Sequence, residues 1–372
     1  MSKFLKRLKK GVLVGDGAMG TFLIRELGHG LRCVEEANLT HPDLVLSAHL
    51  QYIAAGAELI ETNTFGANRS KLREFNLEGR FEEINSRAVK IAREARDIAG
   101  KDVIIGGSIG PAGFVYDFIN RHDRRLAEAY YREQAEILEQ RGVEVFIVET
   151  FPSTSELKTA VQAIRSVSSL PIMAHLTFAA SDFDAGGDFE DLDLQRAIKS
   201  FQEIADLPVE VLGLNCGMGP RESLQILEHI DVGDREGISI YPNAGVPSRR
   251  GGRFIYPDSS PEYFAAFALE AIRLGANIVG GCCGTRPEHI RAMADAIRSS
   301  KPMQREQVIA SAPSFAVRPE APTTRPSALA EKFEQRKFVV SVQIDPPKGP
   351  ETSRLMDAVQ MFKESGVVDA VD

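Results

Sequence analysis

Between residue 11 and about residue 300, short apolar runs of β character alternate with segments of helical period. This rhythm constrains the fold more than any other feature of the chain. The runs are Val12 to Gly15, Glu58 to Thr62, Val103 to Gly107, Val145 to Glu149, Ile172 to Thr177, Val211 to Asn215, Ile238 to Pro242 and Asn277 to Gly280. Between them, apolar residues recur every three or four positions, as from Leu126 to Leu138, which is the helical period. Strands each followed by a helix imply right-handed crossovers and a parallel sheet. Eight such strands predict a closed (β/α)₈ TIM barrel rather than an open doubly wound sheet. The 372 residues, 43% of them hydrophobic, leave room for it, since such a barrel uses about 250 residues as one domain.

Parallel barrels carry their chemistry at the C-terminal ends of the strands. Asp16, Asn63, Ser108, Glu149, Asn215, Cys216, Asn243, Cys282 and Cys283 all fall there. Polar residues and cysteines gathered at one end of a barrel make sense as a site, not as core. Cys282 and Cys283 are flanked by Gly280, Gly281 and Gly284, and Cys216 precedes Gly217. Neighbouring strand residues point to opposite faces, so adjacent cysteines can share one metal only at an irregular strand end. The glycines permit that backbone. Catalytic zinc takes three protein ligands and keeps a fourth position free, and Cys216, Cys282 and Cys283 supply three. Their spacing is not that of a zinc finger. Two plainer readings stand beside this one. A buried cysteine acts as a small hydrophobe, which suits Cys33, and Cys282 and Cys283 can form a strained disulfide with each other.

Three thiolates neutralise a zinc ion and make it a weak Lewis acid, which argues against water activation. Such an ion can still take a substrate thiol as its fourth ligand and keep it deprotonated, and the thiolate is the nucleophile. The reaction this favours is alkylation of a substrate thiol, by in-line displacement at an activated methyl group.

The segments Gly280-Gly281-Cys282-Cys283-Gly284-Thr285 and Asn215-Cys216-Gly217 resemble the homocysteine S-methyltransferase family. Gly15 to Thr21, Glu61 to Phe65 and Tyr241 to Gly245 are similar to its other motifs, so the resemblance spans residues 11 to 300. It implies a barrel with zinc on Cys216, Cys282 and Cys283, and homocysteine as methyl acceptor. It also implies that Glu149 holds the homocysteine ammonium, where the plainer reading is a structural ion pair or cap. Asp16 assists the ammonium or shapes its turn. Backbone N–H groups around Ala18 and Met19 cradle the substrate carboxylate or belong to an ordinary strand-to-helix turn. The residue at Asn243 occupies the fourth zinc position when substrate is absent, or is a turn residue beside Pro242. Asn63 and Ser108 stand evenly between site and turn. The methyl donor is open among S-methylmethionine, S-adenosylmethionine, methylcobalamin on a separate cobalamin-binding protein, and a methylated folate. The absence of tryptophan disfavours betaine, whose quaternary ammonium suits an aromatic box.

A net charge of −8 argues against a nucleic-acid partner, since binding phosphate backbones needs clustered Lys and Arg. Four cysteines are too few for a disulfide scaffold, and a reduced cytoplasmic setting fits. No apolar stretch reaches the roughly 20 residues that span a bilayer. The basic start, Lys3 to Lys10, reads as a short surface helix; the apolar run after it is broken by Asp16, unlike a signal peptide. Residues 1–300 thus read as a homocysteine-binding barrel and residues 301–336, rich in Pro and Ala, as a linker. Residues 337–372 read as a truncated start of a second barrel. Ser341 to Lys348 resembles the first strand of methylenetetrahydrofolate reductase, and the linkage resembles bacterial fusions of the two enzymes. Gln343 stands where that family usually carries glutamate and cannot move a proton as a carboxyl does. Two alternatives to a methyltransferase are a flavoprotein whose main activity is methylenetetrahydrofolate reduction and a non-catalytic scaffold binding homocysteine and zinc.

Overall fold

The computed structural model describes residues 1–28, 32–113, 121–178, 191–230, 233, 235–245, 248–250, 253–255, 259–299, 332, 335, 337–342, 353–365, 367 and 370–371. It divides into two compact units, Met1–Ile309 and Ala310–Asp372.

The first unit is the barrel. Helix α1 (Lys3–Leu8) precedes β1 (Leu13–Val14), and α2 (Met19–Leu27), α3 (Ala37–Thr40) and α4 (Pro42–Ala55) lead to β2 (Leu59–Glu61). Then come α5 (Arg69–Arg73), α6 (Phe81–Ala99), β3 (Ile104–Ile109), α7 (Arg121–Arg141), β4 (Val145–Phe151), α8 (Thr154–Arg165), β5 (Ile172–Leu176) and α9 (Asp191–Glu203). They are followed by β6 (Val211–Asn215), α10 (Pro220–His229) and β7 (Gly237–Tyr241). A small antiparallel hairpin, β8 (Ser248–Arg250) with β9 (Arg253–Ile255), precedes α11 (Pro261–Arg273), β10 (Ile278–Val279) and α12 (Pro287–Ser299). The eight barrel strands are parallel and ordered β1-β10-β7-β6-β5-β4-β3-β2. A parallel bridge from Gly15 to Leu59 and the Glu58 amide bonding Val14 O at 2.8 Å close the ring. Each strand expected from the sequence is present, shifted by no more than a few residues at its ends.

Alternation along β4 shows how the sequence fills both sides of the wall. Phe146 and Val148 pack outward into the main core beneath the helices, with Leu138, Leu157 and Ile164. Val145 and Ile147 point inward with Leu13, Leu59, Ile104, Met173, Val211 and Ile278, each from another barrel strand. The N-terminal helix completes this inner layer. Phe4 is 0% exposed and Leu8 is buried in the same cluster. The expected surface helix is therefore a plug. Its basic residues sit on the rim, with Arg7 Nη2 2.7 Å from Glu58 Oε2 and Lys3 Nζ 2.7 Å from Asp102 Oδ1. Phe4 and Leu8 stand four residues apart, so they share one helix face, and their burial seals the barrel floor. Phe4→Ala is expected to lower stability by about 3–5 kcal/mol. Urea unfolding would show it as a reduced midpoint with an unchanged slope.

In the second unit, Ser341–Val342 pairs in parallel with Ala370–Val371, and the helix Ser353–Ser365 lies between them in sequence. Gln343 and most of the proline-rich stretch lie outside the described residues. Among the described residues, no helix is long and apolar enough to cross a membrane.

Candidate active site

The C-terminal ends of the barrel strands enclose a cavity of about 240 Å³. Its cysteine wall is made by two irregular turns. At the end of β6, Cys216 takes φ +57° and Gly217 φ +70°, values that side chains with a Cβ rarely adopt. This turns the chain so that the Cys216 amide bonds Tyr241 O at 3.0 Å. After β10, the Cys282 amide bonds Pro242 O at 2.8 Å, and Cys283 O accepts from the Ala244 amide at 2.9 Å. Thr285 Oγ1 donates to Cys282 O at 2.7 Å, and the Gly284 amide donates to Thr21 Oγ1 at 3.0 Å. Both cysteines of the pair are thereby held on one side of their turn.

The result is a cluster of three sulfurs, Cys216, Cys282 and Cys283, all within 4.8 Å of one another. Cys216 Sγ and Cys283 Sγ are 3.7 Å apart. Two sulfurs bound at 2.3 Å to one tetrahedral zinc stand about 3.8 Å apart, so the spacing fits a shared metal ion. All four cysteines, including Cys33, are free thiols; no disulfide joins Cys282 to Cys283. Hydrogen bonding to Cys216 and Cys283, reinforced by burial, holds the Cys282 thiol well above its ordinary range. A cation bound by thiol ligands deprotonates them outright. Cys33 lies apart, buried against Glu35, and burial raises its thiol to about 12.

Four acidic residues line the same cavity, Asp16, Glu35, Glu61 and Glu149. Glu149 points inward by the same alternation as Val145 and Ile147, and the register break after Val148, where Thr150 takes φ +61°, then turns Phe151 into the outer core. Ser108 Oγ donates to Glu149 Oε1 at 2.5 Å, and Asn215 Nδ2 donates to Oε2 at 2.8 Å. Asn215 is fixed in turn because its Oδ1 accepts from the Thr150 amide at 2.8 Å. The same Nδ2 lies 3.9 Å from Cys282 Sγ, which links carboxylate and thiol walls. Asp16 Oδ2 accepts from the Glu61 amide at 3.0 Å. Burial first raises the Asp16 and Glu61 carboxyls well above the carboxylate range; repulsion from Glu149 adds to both, and the hydrogen bond from the Glu61 amide opposes the rise at Asp16. Glu149 is raised mainly by burial, opposed by its hydrogen bond from Ser108.

The other residues singled out from the sequence divide by what their polar atoms do. Asn63 borders the cavity, but its Nδ2 is spent on Val34 O at 2.9 Å and Asn38 Oδ1 at 3.1 Å. The Ala18 amide donates to Thr285 Oγ1 at 3.2 Å. Met19 opens α2, whose first-turn N–H groups have no intrahelical acceptor. Asn243 is fully buried, and neither Oδ1 nor Nδ2 has a hydrogen-bond partner among the described residues. Its neighbours Pro242 and Ala244 make the backbone bonds to the paired cysteines. Glu61 and Tyr241 border the cavity without having been picked out from the sequence. The strand-end criterion that selects Asp16 and Glu149 finds Glu61 only if β2 ends at residue 61.

The family model described as homocysteine S-methyltransferase matches residues 13–297. Methionine synthase of Mycobacterium leprae is 34% identical over 310 residues, covering 79% of this chain and 25% of its own length. Methionine synthase of Mycobacterium tuberculosis is 33% identical over 316 residues, covering 80% and 26%. The chain thus spans about a quarter of the length of the curated relatives it matches. The metallated form of the homocysteine methyltransferase MmuM from Escherichia coli aligns with a TM-score of 0.61 at 23% identity, over 78% of this chain and 99% of that one. This last likeness is one of fold.

Proposed function

The chain belongs to the homocysteine S-methyltransferase family, and on that premise we propose that it transfers a methyl group to the thiol of homocysteine, forming methionine, with zinc as its metal. The observation that carries this reading is the convergence of three sulfurs within 4.8 Å in a small cavity that the buried Asp16 and Glu149 also line. Cys216, Cys282 and Cys283 would hold the zinc, which supplies a site where the substrate sulfur is kept as thiolate.

The rest of the work falls to the chain's own residues. Glu149, oriented by Ser108 and Asn215, receives the substrate ammonium, and Asp16 adds a second carboxyl beside it. The start of α2 at Met19 offers free N–H groups to the substrate carboxylate. So held at both ends, the substrate presents its sulfur for in-line attack on the donor's methyl carbon. A carbon–sulfur bond forms as the bond to the leaving group breaks. The parallel β–α–β arrangement of residues 341–371 supports reading residues 337–372 as the start of a further α/β domain after a linker at 301–336.

Metal analysis with a methyl-transfer assay tests the proposal. Homocysteine would be paired in turn with S-methylmethionine, S-adenosylmethionine, methylcobalamin and a methylated folate. The expected result is about one zinc per chain and methionine formed from one donor class; full activity after complete metal removal would sink it. A narrower prediction concerns Asn243, whose unpartnered buried amide fits a metal contact in the substrate-free protein. Asn243→Ala should weaken zinc retention about tenfold without homocysteine and leave it unchanged with homocysteine bound. Competition with a chelator, run both ways, reads the difference.

A further inference from the structure

Helix α2 has an alanine as its N-cap. Ala18 carries no side-chain acceptor for the first-turn N–H groups, and no side-chain cap bond is made. Those N–H groups stay open, so Ala18 is held in place from elsewhere in the chain. Two buried hydroxyls hold it. Tyr52, on α4, is 0% exposed, and its hydroxyl donates to Ala18 O at 2.9 Å. Thr285 is 1% exposed, and its Oγ1 accepts from the Ala18 amide at 3.2 Å.

Both hydroxyls also reach the cysteine turn. Thr285 Oγ1 gives its single proton to Cys282 O at 2.7 Å, and the Thr285 amide donates to the same oxygen at 3.0 Å. The Tyr52 hydroxyl lies 3.4 Å from Thr285 O. Alongside, the Gly281 amide donates to Asp16 O at 3.0 Å. This close approach is possible because Gly17 has no side chain. A Cβ there would fall 2.8 Å from the Tyr52 ring and 2.9 Å from Thr285 Oγ1. Neither Tyr52 nor Thr285 is among the residues lining the cavity, whereas Ala18, Met19 and Cys282 are. The two hydroxyls therefore act on the site only through the backbone they hold.

We infer that Thr285 and Tyr52 are positioning residues that lock the Cys282 turn to the start of α2, so that the metal and the amino-acid end of the substrate each bind more tightly when the other is present. The inference rests on the methyltransferase reading for its two ligands and adds the residues that link them. Either ligand orders the backbone it touches. Through the shared hydroxyls, that order extends to the other turn, and the second ligand then has less left to order. Linkage of this kind is reciprocal: zinc must tighten amino-acid binding by the factor with which the amino acid tightens zinc binding.

The test uses the metal-loaded full chain and 2-aminobutanoate, which is homocysteine without its sulfur and so has no thiol to place on the metal. Competition with a chelator measures zinc retention with and without it. Wild-type protein should hold zinc about fivefold or more tighter when 2-aminobutanoate is bound. Thr285→Val keeps the branched side chain and removes the hydroxyl. It should weaken zinc retention about tenfold and make it indifferent to 2-aminobutanoate. Thr285→Ser, which keeps a hydroxyl, should restore both, whereas a merely structural loss would lower thermal stability and leave the linkage in place. Tyr52→Phe, which removes one oxygen, should also reduce the linkage and decides the matter if Thr285→Val does not fold. A wild-type protein whose zinc retention ignores 2-aminobutanoate, or variants that keep the wild-type linkage, overturn the inference and leave the methyltransferase reading standing. Wild-type protein that retains no metal overturns both.

Discussion

Cys216→Ala should strip the metal from the protein and abolish methyl transfer, with little change in the fold. Even outer partners of metal ligands change metal affinity by 10–100-fold when removed, so losing one of three ligands should cost about a hundredfold at least. The fold should tolerate the change because alanine and cysteine both carry a Cβ and meet the same obstacle at φ +57°. Glycine separates the two effects. Cys216→Gly relieves a left-handed conformation that costs about 1–2 kcal/mol, so the metal-free variant should unfold at a higher urea concentration than metal-free Cys216→Ala. It should be equally inactive. Metal content by atomic emission, read beside the methyl-transfer rate, checks the first claim. A Cys216→Ala protein that keeps a full complement of metal would show that the three sulfurs do not act as one site. The strained turn would then need another explanation, since strain of this kind persists where the surroundings enforce it.

The barrel was legible because its signal is repeated. Eight apolar runs separated by helical periods leave one economical arrangement, and an error of a residue at a strand end does not alter it. The cysteine cluster was legible for a related reason. Cys216 and the Cys282–Cys283 pair are far apart in sequence, but both stand at strand ends, and a closed ring brings all strand ends together. What escaped was decided by side-chain partners. Asn63 stands at a strand end as Asp16 does, yet a buried Asn38 captures its amide. The amide of Ala18 was open on paper until Thr285, 267 residues away, supplied an acceptor. Glu61 was hidden by a boundary, since a run read to Thr62 places it inside the strand. The role of α1 lay in Phe4 and Leu8, whose spacing was outweighed by the surrounding lysines and arginines. The β8–β9 hairpin had no signal in a rhythm of parallel strands.

Glu149→Ala is expected to weaken homocysteine binding by about 2–5 kcal/mol, the usual loss when one partner of a buried, hydrogen-bonded charge pair is removed. This corresponds to an affinity lower by at least about thirtyfold. The zinc should remain, because among the described residues the hydrogen-bonded link from Glu149 to the cysteines runs through Asn215, and Asn215 keeps its second anchor at the Thr150 amide. The obvious conservative change is the poorer experiment. In Glu149→Gln, the side-chain oxygen can accept from Ser108, but the new NH₂ then faces Asn215 Nδ2, donor against donor. Asn215 cannot turn over to resolve this without giving up its bond from Thr150. Alanine removes both contacts cleanly, leaving the Ser108 hydroxyl and the Asn215 amide facing a cavity that water can enter. The split between kinetic parameters is then informative. An ammonium-binding role predicts a raised KM for homocysteine, with the rate at saturation reduced less than kcat/KM. An unchanged KM would refute the ammonium role and leave Glu149 as a brace between β3, β4 and β6. A fall in metal content would mean instead that the Ser108–Glu149–Asn215 chain supports the cysteine turn itself. The paired measurement of metal and homocysteine affinity in one variant therefore separates binding from bracing.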